Sequence, residues 1–538
     1  MNEIFKKPLY PYRRSTDQDG IYQAHHPVVI IGAGPVGLCA AIDLAQRGIK
    51  ILVIDENDKV SFGSRAICFA KRTLEICDRL GISDKLIAKG VQWNLGKVFF
   101  DDRQVYEFNL LSEDAHRQPA FINLQQYYLE VYLVERILEL QNAGAKIDIR
   151  GKTSLSEINQ TSKSVQLGLD TPDGLYEITA DWVIACDGAN SPTRAMLGLD
   201  FAGRVFEDNF LIADVRMEAD FPTERWFWFD PPFNKGKSAL LHKQPDGVWR
   251  IDLQLGWNID KKEEKKPKNV IPRLKAMLGE DVNFELEWVS IYTFECRRME
   301  DFLHGRIIFA GDSAHQVSPF GARGANSGIQ DVDNLCWKLA EVVCKRAPAS
   351  LLQTYNIERV LGADENILNS TRSTEFITPK SGISRLFRDA VLELAENQTF
   401  ARPLVNSGRL SLPIQYGVNR TFGPDNLDGP KVASPGSPCP DAIIAPETFL
   451  LESLSQGFTL LNINQVPKVH IIECGSTLTH LNVKASPDEN TFLLKRYLGD
   501  QKMAIYLIRP DQHIAARWAK FDETAIRNSI RTSLGYNG

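Results

Sequence analysis

The residues with the plainest chemistry are Gly32-Ala33-Gly34-Pro35-Val36-Gly37, set between the apolar run Val28 to Ile31 and an apolar helical pattern through Leu38, Ala41, Ile42 and Ala45. Glycines at this spacing let a backbone approach a phosphate. Gly32 permits the tight turn, Gly34 and Pro35 stand where the chain meets a pyrophosphate, and Gly37 allows close packing of helix on strand. The helix N-terminus adds unsatisfied N–H donors. A second apolar run, Ile51 to Ile54, delivers Asp55 and Glu56, with Asp55 lying 18 residues past Gly37. A carboxylate there accepts hydrogen bonds from a ribose. An acid fits an adenosine ribose with free hydroxyls, so FAD or NAD rather than NADP as the tightly held nucleotide.

Two more signatures follow. "DWVIACDGANSPTR" at 181–194 is an apolar strand ending in Asp187-Gly188, with Arg194 just beyond. "GRIIFAGDS" at 305–313 is a buried strand ending in Gly311-Asp312. It runs into "AHQVSPFGARGANSGIQD", a polar loop with Gly321, Gly324 and Gly328 that opens an amphipathic helix.

In this order the three motifs resemble the FAD-dependent aromatic hydroxylases, the single-component flavoprotein monooxygenases of the para-hydroxybenzoate and phenol hydroxylase type. The pattern is most similar to the 3-(3-hydroxyphenyl)propionate hydroxylase-like branch. The resemblance covers residues 24 to 420 well and the remainder loosely. It implies that Asp312 contacts the ribityl and pyrophosphate region of FAD, and that Pro319, Gly321, Gly324, Ala325 and Asn326 wrap the isoalloxazine ring. The Pro319 carbonyl matches a position beside the flavin C4a edge. The N–H groups of Ala325 and Asn326 would stabilise negative charge on reduced flavin. Arg323 reads either as a source of positive field near the flavin or as a surface arginine. Arg65 matches an arginine at the FAD pyrophosphate, and Gln126, with Gln125 as the alternative, a ribityl contact. Asp187, Gly188 and Arg194 match a segment that serves FAD and NAD(P)H. His315 reads as a packing partner more than a chemical group.

The resemblance implies a reaction: NAD(P)H reduces FAD, O₂ forms a C4a-hydroperoxide, and one oxygen passes to an electron-rich, phenolic or related aromatic ring. Water must be excluded meanwhile. Phenol hydroxylase-like members have an aspartate near the "RTLE" stretch, but this chain has "AICFA" there. The base is thus open, with Tyr292, His242 and Arg297 as candidates and core or surface roles as the alternative. A halogenase W-x-W-x-I-P segment is absent from the sequence. Another FAD-dependent dehydrogenase or reductase of the same fold is the rival reading, and the choice between NADH and NADPH stays open.

These residues need elements to position them. At 538 residues two or three domains are expected. Apolar residues at 43% and charged residues at 24% are globular values. The net charge of −6 argues against a nucleic-acid binder. No apolar run reaches the roughly 18 residues of a membrane span. The N-terminus has no apolar signal core, and the nine scattered cysteines show no CxxC. A cytoplasmic, reduced protein without a metal is expected. The fold class is α/β: a Rossmann-like FAD-binding domain with an inserted antiparallel-sheet substrate domain, plus a thioredoxin-like C-terminal domain without CxxC.

The expected boundaries are a polar leader at 1–26, FAD-binding residues 27–194, a substrate sheet at 195–300, returning FAD-binding and helical residues 301–420, a linker at 421–445 and the C-terminal domain at 446–538. In the sheet, Trp226, Phe227, Trp228 and Phe229 alternate, so half of them face inward. The partners expected are a small aromatic substrate, O₂ and NAD(P)H, with a homodimer compatible.

Overall fold

The computed structural model describes residues 8–20, 22–61, 65–219, 221–405, 411–419, 421–465, 478–486 and 490–536. β1 (Ala24–Ile31), α1 (Pro35–Gln46) and β2 (Ile51–Ile54) form the first unit, and β2 and residues 28–31 of β1 are apolar on both faces. That is the composition of parallel strands covered on two sides. β3 (Cys68–Ala70) leads into α2 (Lys71–Leu80), followed by α3 (Gln126–Asn142), β4 (Ile147–Arg150) and β5 (Gly174–Ala185). β1 lies between β5 and β2, β4 pairs outside β2, and all run parallel. β1 starts inside the segment read as a leader, and that segment is anchored. Asp17 accepts hydrogen bonds from His26 and from Arg150 at 2.9 and 2.6 Å.

The inserted sheet contains β6 (Ala202–Arg216), β7 (Arg225–Phe229), β8 (Ser238–Lys243), β9 (Val248–Gly256) and β10 (Glu285–Arg298). Its order is β10-β6-β9-β8-β7, then the strands 95–100 and 103–109. These last two come from outside the 195–300 block. Their short alternating runs pair with β7 only through long-range contact, which the sequence does not display. Phe210, Phe227, Phe229, Leu240 and Phe294 pack on one face, here called inner. Leu211, Leu241, Trp249 and Ile251 pack on the other, against the helix Pro267–Leu278. The alternation is strict, so Phe227 and Phe229 face inward while Trp226 and Trp228 pack with the outer cluster.

β11 (Ile307–Phe309) rejoins the parallel sheet beside β5. α4 (Gly324–Val343), α5 (Leu351–Ile377) and α6 (Gly382–Asn397) follow. The C-terminal sheet contains β12 (Phe458–Ile463), β13 (Leu478–Val483), β14 (Ala504–Ile508) and β15 (Ile514–Trp518), in the order β15-β14-β12-β13. The "VHIIECG" run at 469–475, expected as part of this domain, lies outside the described residues. Residues 421–445, expected to be a linker from their Pro, Gly and Asp content, are built into this unit instead. Leu427, Ala433, Cys439 and Ala442 are buried in the same cluster as Leu461 and Tyr506, and 425–426 pairs with β15. Apolar residues at wide spacing, invisible to composition, anchor the segment.

A buried turn joins the C-terminal unit to the helices. Arg509 donates two hydrogen bonds to Glu358, each at 2.9 Å, and also pairs with Asp511. Lys338 reaches the same Glu358 at 2.9 Å, and Arg72 donates to the Asp511 carbonyl at 2.6 Å. Burial alone would raise the Glu358 pKa from 4.5, but Arg509 and Lys338 hold it at about 2. Its contribution is therefore present above pH 4.5 and fades as pH falls toward about 2. Glu358→Gln strands two buried cations and should lose about 3–5 kcal/mol at neutral pH. The gap to the wild type should narrow through that acid window, as read from urea midpoints at stepped pH.

Candidate active site

The first glycine turn is built as its sequence requires. Gly32 has φ +106°, and a Cβ there would stand 2.5 Å from the Cys186 carbonyl oxygen. A Cβ on Gly37 would meet the Gly32 oxygen at 2.0 Å. Gly34 differs: a Cβ there meets nothing within 4 Å. Space is thus left where the chain turns into α1, a helix with Pro35 in its first turn and no side-chain cap. The half-buried Asp55 accepts from Ala33 N at 2.6 Å and Asn57 N at 2.7 Å, which fixes the turn, and Glu56 beside it is exposed.

The other two motifs converge on this point. A Cβ on Gly328 would lie 2.8 Å from a Val36 methyl and 3.0 Å from Gly311 Cα, so α4, the Gly311 turn and α1 touch at backbone distance. Arg194 donates to Ser313 O at 2.7 Å and to Ala189 O at 2.8 Å, joining the Asp187-Gly188 and Gly311-Asp312 loops. Asp187 accepts from Thr193 N with one oxygen, while the other is buried without a partner. Asp312 is open to solvent yet walled by protein. Desolvation raises its pKa, against the opposing charges of His315 and Arg65. Arg65 is exposed beside it, and the next residue's N–H donates to Gln126 Oε1 at 3.1 Å. Gln126 also donates to Glu130 at 2.7 Å. Gln125 points elsewhere, toward the Pro245 carbonyl at 3.5 Å.

The glycine loop runs over the start of α4. Asn326 is buried, and its side chain is fully engaged. It accepts from Ala70 N at 2.9 Å and Thr73 Oγ1 at 2.6 Å, and donates to Cys68 O at 2.9 Å. It therefore ties α4 to β3 and α2, while its N–H stays in the uncapped first turn beside that of Ala325. Gly324 starts the helix, Gly321 has φ +111°, and Pro319 is exposed. Arg323 is not a surface arginine. It is 2% exposed and donates to Asn366 of α5 at 2.8 Å. His315 is a packing partner, paired with Asp331 at 2.6 Å. Asp331, which the sequence did not single out, also accepts from Gly311 N at 2.9 Å and from Arg359 at 2.6 Å. Burial would raise its pKa, but His315 and Arg359 outweigh that and lower it.

Phe320 of the loop packs on Phe210 and Phe294 of the inner sheet face, with ring centroids 4.8 and 5.2 Å apart. Of the base candidates, half-buried Tyr292 pairs opposite Phe210 on this face, and Arg297 is engaged with Glu295 at 3.3 Å. His242 is also on this face, 1% exposed, with burial and then Arg225 lowering its pKa to about 4. Around it stand polar residues the sequence reading missed: Arg225, Asp252, and Arg250 held by Asp214 at 2.8 Å. Single polar residues in alternating strands carry no spacing signature, because the cluster forms only across four strands.

The open Gly34, the uncapped helix and the unpartnered Asp187 oxygen fit a bound dinucleotide. The comparisons agree. A family model described as "FAD binding domain" matches residues 25–370. A 6-methylpretetramide 4-monooxygenase of Streptomyces rimosus is 33% identical over 356 residues, covering 64% of this chain and 61% of the relative. A 3-(3-hydroxy-phenyl)propionate/3-hydroxycinnamic acid hydroxylase of Mycolicibacterium gilvum is 29% identical, covering 68% and 63%. The chain thus spans just over six-tenths of the length of these curated relatives. The solved flavin-dependent monooxygenase PieE, in complex with FAD and substrate, shares the fold with TM-score 0.77 at 19% identity, covering 95% of this chain and 99% of that one. The rebeccamycin biosynthetic enzyme RebC does so at 0.74 and 22%, covering 96% and 100%.

The two glycines separate binding from folding. Gly34→Val should keep the unfolding temperature of the cofactor-free protein and lose bound flavin, read as the visible absorbance per chain. Gly37→Val should lose soluble, folded protein, read by circular dichroism.

Proposed function

The chain belongs to the FAD-binding-domain family, and from that premise we propose that it is a flavoprotein monooxygenase that consumes NAD(P)H and O₂ to hydroxylate a phenolic or related aromatic ring. The observation that carries this reading is the closure of the glycine loop onto the inner sheet face through Phe320, Phe210 and Phe294. A ligand held by the three glycine motifs then faces an aromatic-lined wall. The curated relatives are named as a monooxygenase and a hydroxylase acting on aromatic compounds, which supports the same choice. Bound FAD supplies the redox chemistry, taking electrons from NAD(P)H and passing one oxygen atom of O₂ to the ring.

The protein's part is to hold and shield. The N-terminus of α1 and Arg65 receive the pyrophosphate, Glu56 or Asp55 the ribose, Asp312 and Gln126 the ribityl chain. Asp187, Gly188 and Gly311 form the turns between them. The first-turn N–H groups of Ala325 and Asn326, at the positive end of the 20-residue α4, would stabilise negative charge on the reduced ring. Pro319, Gly321 and Gly324 would let the loop backbone come close to that ring. Phe227, Phe229 and Leu240 keep the far wall dry, which limits loss of reducing equivalents as hydrogen peroxide. Buried Arg323 acts here through Asn366 as a brace for the loop.

The C-terminal unit takes the thioredoxin-like reading, supported by one parallel pair, β12 with β13, followed by antiparallel β14 and β15. It carries no CxxC and serves as structure. A cytoplasmic location and a homodimer complete the reading. Ile383, Leu386 and Phe387, at 82, 72 and 59% exposure, give α6 the apolar stripe that a second copy would cover. Sedimentation should show a dimer that Leu386→Asp with Phe387→Asp dissociates.

The deciding assay gives the flavin-loaded protein NAD(P)H and a panel of phenols under isotopically heavy O₂. Hydroxylated product carrying one heavy oxygen supports the monooxygenase. NAD(P)H oxidation with no labelled product from any phenol supports a dehydrogenase or reductase instead.

A further inference from the structure

We propose that the carboxylate of Asp252, positioned by His242, accepts the proton of the substrate's ring hydroxyl, so that this pair is the base for hydroxylation and a phenol with a free hydroxyl is the substrate class. The inference rests on the monooxygenase reading above.

The pair stands where such a group is needed. Asp252 is on the inner face of β9, directly opposite Leu240 of β8 and Ile212 of β6. One strand further along the same row stands Ser290, opposite Ile212. Along β6 the next inward residue is Phe210, on which the loop residue Phe320 packs. Asp252 is 15% exposed at its side chain, yet its Oδ1 is buried without a hydrogen-bond partner, as is the hydroxyl of Ser290. His242 is fully buried, and neither ring nitrogen has a hydrogen-bond partner. Its Nε2 stands 3.5 Å from Asp252 Oδ2, within electrostatic reach. Unpartnered buried acceptors in a polar row are costly in an otherwise apolar wall. A ring hydroxyl seated against Oδ1 satisfies this one.

Charged and titratable groups from five strands face the pair. Arg225 comes from β7, Arg250 from β9 itself, Asp214 from β6, Cys68 from β3 and Tyr292 from β10. Arg250 is neutralised by Asp214 in a two-pronged pair at 2.8 and 3.1 Å. Arg225, 4% exposed, donates to the Cys68 sulfur at 3.5 Å, lies over the faces of Phe227 and Trp93, and feels the Asp252 charge. Burial and the two arginines keep His242 neutral at working pH. With its Nε2 3.5 Å from Asp252 Oδ2, the buried imidazole packs beside the carboxylate and fixes its orientation, so His242 is a positioning residue.

A carboxylate is a weak base for a resting phenol, but not for a phenol under attack. As the ring carbon ortho or para to the hydroxyl takes up an oxygen atom from O₂, an electron pair moves from the hydroxyl oxygen into the ring. The O–H bond breaks and its proton passes to Asp252. The dienone so formed loses the hydrogen on the attacked carbon as a proton, which joins the second oxygen atom of O₂ in the departing water, the proton on Asp252 returns to the ring oxygen, and the aromatic ring is restored. The balance is ArOH + O₂ + NAD(P)H + H⁺ → Ar(OH)₂ + H₂O + NAD(P)⁺. Because the hydroxyl becomes strongly acidic only during attack, an ordinary carboxylate suffices.

The test compares the flavin-loaded wild type with Asp252→Asn and His242→Gln. It uses the phenol that the wild type hydroxylates best, and 4-nitrophenol as a bound indicator. Asp252→Asn should lower product formation by about 10²-fold or more while NAD(P)H oxidation persists, the difference appearing as hydrogen peroxide. His242→Gln should lower product formed per NAD(P)H oxidised and shrink the effect of Asp252 on a bound indicator phenol, because the carboxylate loses the neighbour that orients it. Bound to the wild type, 4-nitrophenol should ionise at higher pH than free in solution, since its hydroxyl faces a carboxylate, and Asp252→Asn should bring it down by about one unit or more. This last readout needs no turnover, and its wild-type half needs no variant. Full product yield in Asp252→Asn, or a wild-type indicator that ionises no higher than free 4-nitrophenol, overturns the proposal and leaves the monooxygenase standing. A wild type that hydroxylates no phenol overturns both.

Discussion

The carboxylate of Asp331 is the point on which the architecture hangs. Three groups from three parts of the chain share its two oxygens: the backbone N–H of Gly311, the ring of His315 and the guanidinium of Arg359. A buried carboxylate without such partners would cost several kcal/mol. With them it fixes the end of β11, the loop that follows and helix α5 in one frame. The same helix, α4, carries Gly328 against Gly311 and Val36, and Asn326 against β3 and α2. Gly328 and Asp331 of this helix hold the first glycine turn and the Gly311 turn together, and Arg194 ties the Asp187-Gly188 loop to them.

The polar spine continues along α4 to Asn334 and Lys338, which meet Glu358 and, through it, Arg509 and Asp511 of the C-terminal unit. Replacing such a network with apolar residues is often neutral or stabilising, so its presence is not explained by stability alone. What it supplies is directional fit. Each carboxylate accepts from donors on different elements, so sliding either unit by one helical turn would strand several buried charges at once. Helix α4, and with it the loop that opens it, is thereby held in register with the C-terminal unit.

Legibility in the sequence follows the range of the constraint. The glycine turn could be read because its spacing is set locally: a Cβ at Gly37 collides with the Gly32 carbonyl five residues back, and Gly32 itself takes a positive φ. Asp187 and Asp312 were readable as strand ends. Arg323 was not, since its outcome depends on Asn366, 43 residues on. The strands at 95–109 were missed for the same reason, because their partner β7 lies more than 100 residues downstream. Composition misled at 421–445: Pro and Gly mark irregular backbone, not exposed backbone, and four widely spaced apolar side chains suffice to bury it. Asp252 and Arg225 escaped because alternation shows which residues share a face but not which polar ones lack partners.

The short segment from Arg65 to Ala70 couples the two halves. Its backbone gives the Cys68 carbonyl and the Ala70 N–H to Asn326, beside the glycine loop. The Arg65 carbonyl accepts from Arg250, and the Cys68 sulfur from Arg225, both on the inserted sheet. The Arg65 side chain, exposed, stands at the groove beside Asp312. A ligand in the groove and a ligand on the sheet therefore press on the same six residues from opposite sides. Two sites that share a rigid strut cannot be tuned separately, so the charge cluster on the sheet face and the glycine loop must be understood as one site.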